Sequence, residues 1–157
     1  MTVVWGLQDP QLNEAMGRWL QAKLCLPQPF REPYVCMGLF ENDQKLIAVL
    51  MLENYRSRDG TVEIGGAADK PKWLTRGVMS DLADYVFRKL RCQMAVFRVP
   101  ERNTHVCDVL KRAGMECLVI PRLRGRHEAE FFFMMTDDAW DQHPMNRKRG
   151  GYAVRSS

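Results

Sequence analysis

The sequence predicts a single α/β domain with a mixed central sheet of about seven strands flanked by helices. Apolar residues recur at helical steps in several segments, and strand-like apolar runs separate these segments. Consecutive strand-like runs predict antiparallel hairpins, whereas strand–helix–strand connections predict parallel neighbours. Both directions are therefore expected in one sheet. The predicted order of elements is β-α-β-β-β-α-β-α-β-β.

The first third of the chain predicts a strand, a helix and a hairpin. Residues 3–7 form the strand, and the helix begins with Asp9 as N-cap and Pro10 at the first helical position. The apolar stripe of this helix has steps of four and consists of Leu12, Met16, Leu20 and Leu24. Residues 34–40 and 46–53 are strand-like, and the turn-forming residues between them predict a hairpin.

The rest of the chain alternates strands with two helices. The strands are predicted at Thr61–Ala68, 93–99, Glu116–Ile120 and 129–135. The first helix has apolar positions at Leu74, Val78, Leu82 and Leu90. The second lies between Asn103, a good N-cap, and Gly114, which closes it as a left-handed cap. Because the first helix joins strand Thr61–Ala68 to strand 93–99, we expect these strands to be parallel neighbours.

Composition indicates a globular protein that lies in the cytoplasm. The 157 residues are 46% hydrophobic and 27% charged. Apolar runs fall short of the roughly 20 residues that span a membrane, and the N-terminus does not resemble a signal peptide. The five cysteines are scattered and form no CxxC pair, so we expect buried, reduced thiols and no metal.

Positive charge is concentrated at the C-terminus. The net charge is +4, and residues 141–157 hold four basic residues and one acidic residue, a net of +3. The predicted organisation is therefore a domain of residues 1–140 and a basic tail of residues 141–157, dispensable for the core after about Trp140. The tail is either a solvated terminus or a weak contact site for nucleic acid or another protein.

Three stretches, together with the element order, resemble the GNAT (Gcn5-related N-acetyltransferase) superfamily. Residues 62–65 and 73–79 resemble its fourth strand and phosphate loop. Residues 82–87 resemble the helix that follows, especially in ribosomal-protein N-acetyltransferases and prophage-encoded members. Residues 100–115 match the family in the spacing from Asn103 to Gly114. The resemblance implies the GNAT fold, acetyl-CoA as co-substrate, and transfer of acetyl to an amine of a small molecule or a protein.

The resemblance also implies a site for the cofactor. Its phosphate loop comprises Thr75, Arg76, Gly77, Val78, Met79 and Ser80. A helix N-terminus presents unpaired N–H groups and partial positive charge, which suits the pyrophosphate. Asn103 is open to two roles, as the cap of its helix and as a hydrogen-bonding partner of the pantetheine arm.

Two carboxylates are candidate general bases. Glu63 lies on the strand that supplies a base in similar proteins, and Glu53 is the second choice. Each has an alternative interpretation as an ordinary strand residue. His105 is expected to be solvated, and Cys107 has no histidine at helical spacing to activate it.

Departures from the family pattern keep another function open. Met79 replaces the second loop glycine, and its side chain could crowd a phosphate. The positions of the family's tyrosine and serine acids hold Leu110 and Val106. The alternative is a catalytically eroded GNAT-like domain with a structural role, such as a phage virion or assembly component.

A third interpretation is a nucleic-acid-binding module, which would use the tail and the cluster of Arg122, Arg124 and Arg126. The sequence leaves the acceptor amine unknown. It is compatible with a monomer, a homodimer or a larger assembly, and with a location in the cytoplasm or in a virion.

Overall fold

A computed structural model describes residues 1–42 and 44–146. The strands are β1 (Thr2–Trp5), β2 (Tyr34–Glu41), β3 (Lys45–Arg56), β4 (Thr61–Ala68), β5 (Met94–Pro100), β6 (Glu116–Ile120) and β7 (Glu130–Thr136). The helices are α1 (Pro10–Lys23), α2 (Arg76–Ala83), α3 (Thr104–Arg112) and α4 (Asp137–Asp141), and a π-helical turn, Asp84–Lys89, extends α2. This order confirms the predicted one and adds α4 after the last strand.

The seven strands form one mixed sheet in the order β1-β2-β3-β4-β5-β7-β6. The pairs β1–β2, β2–β3, β5–β7 and β6–β7 are antiparallel. The carbonyl oxygen of Gly60, just before β4, accepts hydrogen bonds from the backbone nitrogens of Gln93 (2.7 Å) and Met94 (3.1 Å). These hydrogen bonds join the N-terminal ends of β4 and β5, which are neighbours in the sheet. The two strands therefore run in the same direction, as predicted.

The chain divides into two compact units, of which the first contains Met1–Asn54 and Glu63–Trp73. Its core joins α1 to the middle of the β2–β3 hairpin through the buried side chains of Met16, Leu20, Cys36, Val49 and Met51. Asp9 caps α1 as predicted, since its carboxylate accepts a 3.0 Å hydrogen bond from the Leu12 nitrogen.

A side chain of α1 also fixes the entry into β2. The amide of Asn13 donates to the Tyr34 carbonyl (3.0 Å) and accepts from the Cys36 nitrogen (2.8 Å). It therefore completes hydrogen bonds that the backbone of β2 would otherwise leave open.

The second unit contains Tyr55–Val62 and the chain from Leu74 onward. Phe133 of β7 and Leu110 of α3 are fully buried at its centre. The continuous apolar run of β7 was predicted to pack in the core. Phe133 and Met135 do so, whereas the intervening Phe132 and Met134 are only partly buried.

The helix predicted around Leu74 to Leu90 is present, with an unpredicted change of geometry. It begins as an α-helix and continues as the π-helical turn, in which the Leu90 nitrogen bonds to the Tyr85 carbonyl at 2.9 Å. The adjacent Val86 and Phe87 are both buried.

Residues 141–146, at the start of the predicted tail, form hydrogen bonds with earlier residues of the second unit, to which they belong. The Nη2 atom of Arg76 donates to the Pro144 carbonyl, and Nε2 of His143 lies near the Ala113 carbonyl, each at 2.6 Å. Asn146 is 5% exposed, and its amide donates to the Trp140 carbonyl at 3.0 Å. These contacts lie after Trp140, the predicted end of the core, and we expect residues 141–146 to add to its stability. Residues 147–157, with the basic residues of the predicted tail, lie outside the described residues.

The cysteines only partly follow their expected burial. Cys36, Cys92 and Cys107 are buried, whereas Cys25 and Cys117 are exposed, so that expectation is wrong for two of the five. All five thiols are free. Burial raises the pKa of Cys36 to about 12 and that of Cys92 to about 11. The structure also shows, for the residues it describes, no helix long and apolar enough to cross a membrane.

We expect a thiol reagent such as DTNB to label two thiols of the native protein rapidly at pH about 8. Cys25 and Cys117 are accessible, whereas the raised pKa values keep the buried thiols protonated and unreactive. The count of released chromophore should rise to five in denaturant. The double variant Cys25→Ser and Cys117→Ser should lose the fast phase, and a fast phase that persists in it would contradict the assignment.

Truncation at two positions tests which residues after Trp140 contribute to thermal stability. A chain ending at Trp140 loses the hydrogen bonds of His143, Pro144 and Asn146, each worth about 1 kcal/mol. We expect its melting temperature to fall by about 6–12 °C, since each kcal/mol corresponds to about 2–4 °C at this chain length. A chain ending at Asn146 is the control and should melt like the full chain. Equal melting of all three proteins would show that residues 141–146 add nothing to stability.

Candidate functional site

The first unit holds both candidate bases. Glu63 is half-buried on β4, and its Oε2 atom accepts a 3.1 Å hydrogen bond from the side-chain amide of Asn54 on β3. Asn54 has a backbone φ of 52°, in the left-handed region that asparagine adopts more readily than most residues. This hydrogen bond engages one oxygen of the Glu63 carboxylate, and the sequence does not reveal it.

The face of β4 that carries Glu63 has free space beside it. Residues two apart in a strand share a face, so Glu63 and Gly65 project to the same side. A Cβ atom built on Gly65 would meet nothing within 4 Å. On the opposite face, a Cβ atom on Gly66 would lie 2.5 Å from the Val49 carbonyl oxygen, so glycine is required there for close approach to β3. The Glu63 face is therefore open beside Gly65.

Glu53 lies in different surroundings. It is half-buried on β3, directly opposite Tyr34 of β2 in the antiparallel register. Burial, with smaller contributions from Cys36 and nearby carboxylates, raises the pKa of Tyr34. The phenol therefore stays protonated at neutral pH. A Cβ atom on Gly17 of α1 would lie 2.6 Å from the Tyr34 hydroxyl, which places this ring against α1.

The second unit holds the predicted phosphate loop. Thr75 is the N-cap of α2, where its Oγ1 accepts from the Val78 nitrogen (3.2 Å) and its carbonyl accepts from the Met79 nitrogen (2.9 Å). The backbone N–H groups of Arg76 and Gly77 have no hydrogen-bond partner among the residues that the structure describes. Two donors at the positive end of a helix can bind an anion.

The side chains of the loop divide into two groups. Val78 and Met79 are 4% and 3% exposed, so they pack into the core. The concern that the Met79 side chain could crowd a phosphate is therefore removed. Ser80 is half-buried in the same helix. The Arg76 guanidinium is engaged with the Pro144 carbonyl, which sequence reasoning could not have anticipated.

Asn103 caps α3, as predicted. Its Oδ1 accepts a 3.4 Å hydrogen bond from the Val106 nitrogen. Downstream, Leu110 is fully buried and Val106 is half-buried, so neither position of the family's acids carries a proton donor. Cys107 is 3% exposed, and burial raises its pKa, which leaves a neutral thiol that is a poor nucleophile. His105 is half-buried.

Sequence reasoning missed a buried carboxylate, Glu130, at the start of β7. Its exposed fraction is zero, and its Oε2 atom lies 3.0 Å from Nε and 2.6 Å from Nη2 of Arg98. Its Oε1 atom accepts from Nε of Arg124 at 2.6 Å. In the sequence, Glu130 stands directly before the apolar run of β7, and this position indicates burial. A buried carboxylate requires cationic partners, so the position also predicts arginines close to it.

Metal ligands are not clustered in the part of the chain that the structure describes. No group of three or more His, Cys, Asp or Glu side chains there could hold a metal ion.

The fold is that of the GNAT acetyltransferases, as comparison with solved structures shows. A variant of the spermidine N-acetyltransferase SpeG from Vibrio cholerae is 12% identical, with a TM-score of 0.67 over 87% of this chain and 95% of that one. A protein provisionally classed as an acetyltransferase is 17% identical, with a TM-score of 0.65 over 88% of this chain and 94% of that one.

A third structure, from T. thermophilus and also provisionally classed as an acetyltransferase, is 16% identical. Its TM-score is 0.60 over 81% of this chain and 69% of that one. No family profile matches the sequence, and no curated protein matches it.

Proposed function

We propose that this chain is an acetyl-CoA-dependent N-acetyltransferase that acts on an amine of a small molecule or a protein. The observation that carries the proposal is the N-terminus of α2. It combines two unpartnered backbone N–H groups with a threonine cap, on a fold shared with acetyltransferases. Arg76 and Gly77 would hold the pyrophosphate of the cofactor through these groups.

The cofactor would supply an acetyl thioester, and the chain would bind it and assist proton transfer. The open space beside Gly65 suits the small acetyl group. Asn103 would keep its role as the cap of α3 through Oδ1, which leaves its amide group to donate to the pantetheine arm.

Glu63 is the general base in this proposal. An amine attacks only in its neutral form, so a proton must leave the nitrogen, directly or through water, as the bond to the acetyl carbon forms. The Asn54 amide donates to one oxygen of the Glu63 carboxylate and would orient it for this transfer. Glu53, opposite Tyr34, is the second candidate.

The leaving thiolate would take its proton from water, because Leu110 and Val106 carry none. A thiol has a pKa of about 8.5, so its thiolate is a far better leaving group than an alkoxide. The absence of a tyrosine at these positions therefore slows the reaction without preventing it.

The alternative, a catalytically eroded domain with a structural role, rested on two departures from the family pattern. Burial of Met79 argues against the first, since its side chain packs into the core. The second, the missing acid, affects the rate rather than the binding of the cofactor. The decisive measurement is acetyl transfer to a panel of amines by a protein that binds acetyl-CoA. Binding without transfer to any amine would favour the structural role.

The substitution Gly77→Asp should abolish acetyl-CoA binding without unfolding the protein. It adds a negative charge and a side chain at the second residue of α2, where the pyrophosphate would lie, and Gly77 is only half-buried. Calorimetry with acetyl-CoA and with CoA measures the loss. The control is Gln11→Asp, which adds the same charge at the second residue of α1. Unchanged affinity in Gly77→Asp would mean that the loop is only a turn.

The substitution Glu63→Gln should lower the turnover number at neutral pH by about 100-fold or more, the usual effect of losing a general base. Acetyl-CoA affinity should barely change, because backbone groups of α2 would hold the cofactor. Initial rates with a fixed amine, together with calorimetry, test both statements. Glu53→Gln is the matched control and should stay within a few-fold of the wild type. The reverse result would transfer the role of base to Glu53.

A further inference from the structure

The connection between β6 and β7, residues 121–129, is a basic loop fastened to the segment that follows β5. We call it the basic loop. The nitrogen of Glu101 donates to the Ala129 carbonyl at 3.1 Å, and the nitrogen of Ala129 donates to Oε1 of Glu101 at 3.2 Å. The nitrogen of Arg102 donates to Oε2 of Glu128 at 3.3 Å. These reciprocal bonds hold the base of the loop against residues 100–103.

Glu130 holds the middle of the basic loop in place. This fully buried carboxylate binds Arg98 of β5 and Arg124 of the loop at the distances given above. An unpaired buried carboxylate would be costly, so the arrangement resists any movement that separates Arg124 from Glu130. The loop therefore has a defined position rather than being a freely moving connection.

The charges of this region do not balance. Five arginines face three glutamates, which gives a net charge of +2 when His127 is neutral. The arginines are Arg98, Arg102, Arg122, Arg124 and Arg126, and the glutamates are Glu101, Glu128 and Glu130. Each glutamate is already engaged by an arginine or by backbone N–H groups.

The surplus charge belongs to Arg122 and Arg126. Both are exposed, and neither takes part in an ion pair within the described residues. Exposed side chains carry no large desolvation cost, and each guanidinium presents its own fork of N–H donors. Such a fork matches the oxygens of a carboxylate or a phosphate.

We propose that the basic loop binds an anionic group, carboxylate or phosphate, carried by the amine that accepts the acetyl group. The inference rests on the proposed function, which places Asn103 at the pantetheine arm. Asn103 ends the segment to which the loop is fastened, and its nitrogen bonds to the Pro100 carbonyl at 2.9 Å. The loop would thus border the end of the cofactor where the amine must arrive.

An anion-binding loop would distinguish this chain from acetyltransferases that act on polycations. The structure from Vibrio cholerae with the same fold is a spermidine N-acetyltransferase. A polyamine that approached this chain beside Arg122 and Arg126 would be repelled, whereas an amino acid or a phosphorylated amine would be attracted. The attraction should weaken as salt is added, because exposed charges are screened.

Binding tests the inference without requiring turnover. Calorimetry on the full chain, saturated with CoA, would compare two matched pairs of ligands. The pairs are glutamate against glutamine and ethanolamine phosphate against ethanolamine. We expect at least one anionic member to bind about ten-fold or more tightly than its neutral partner, as one or two charge-assisted hydrogen bonds would give. The two pairs distinguish a carboxylate from a phosphate.

The variant Arg122→Asn together with Arg126→Asn should lose that preference. Its control is Arg91→Asn together with Arg112→Asn, which removes two exposed arginines elsewhere in the same unit. Arg91 and Arg122 both have positive φ, 61° and 67°. Each double variant therefore places one asparagine in the left-handed region of the backbone. The control should retain the wild-type preference.

The outcomes are distinct for the two proposals. Equal binding within both pairs, or an Arg122/Arg126 variant that binds like the wild type, would overturn the inference. So would acetyl transfer that prefers spermidine to the anionic amines, although the acetyltransferase would then stand. Anion binding that depends on both arginines, without transfer to any amine, would support the loop's binding role and refute the proposed reaction.

Discussion

The antiparallel pairing of β5 with β7 positions the basic loop and the groups that hold it in place. β7 comes last along the chain but lies between β5 and β6 in the sheet. The residue opposite Pro100, at the end of β5, is Glu130, at the start of β7. The connection from β6 must therefore return to the end of β5, which brings residues 128–129 against Glu101. Because Arg98 lies two residues before Pro100 on the same face, this register also gives Glu130 its first cation.

The sequence predicted the elements whose signals are local. The bounds of Thr61–Ala68 and Glu116–Ile120 agree with the structure, and Asp9 and Asn103 cap their helices as expected. Helix α4 was missed, although Thr136 caps it by accepting from the Ala139 nitrogen, because a five-residue helix shows too little periodicity. Cysteine burial depends on tertiary position, so an average tendency could not identify the exposed thiols.

The candidate site also combines features that are local in the sequence with contacts between residues distant in the sequence. Thr75 and Gly77 could be assigned from the sequence because a helix N-terminus is a local feature. The bond between Asn54 and Glu63 joins residues nine apart, and the ion pair of Arg98 with Glu130 joins residues 32 apart. Such contacts are set by strand pairing and register, which composition and periodicity leave open. The candidate bases and the candidate phosphate loop could be proposed from the sequence, but the contacts that these residues make in the fold could not.

The two departures from the family pattern turn out to have different physical meanings. A glycine in a phosphate loop permits close approach of the backbone, and Met79 does not prevent it because its side chain packs inward. Leu110 is fully buried within the core of the second unit. A tyrosine there would have to displace packed neighbours before its hydroxyl could reach solvent or a substrate. Core packing thus occupies the position at which the resembled pattern has a proton donor, while the helix N-terminus that would bind the cofactor keeps two backbone N–H groups without a partner among the described residues. In the proposed reaction, that combination would limit the rate of the second proton transfer more than the affinity for the cofactor, so binding and turnover have to be measured separately in this protein.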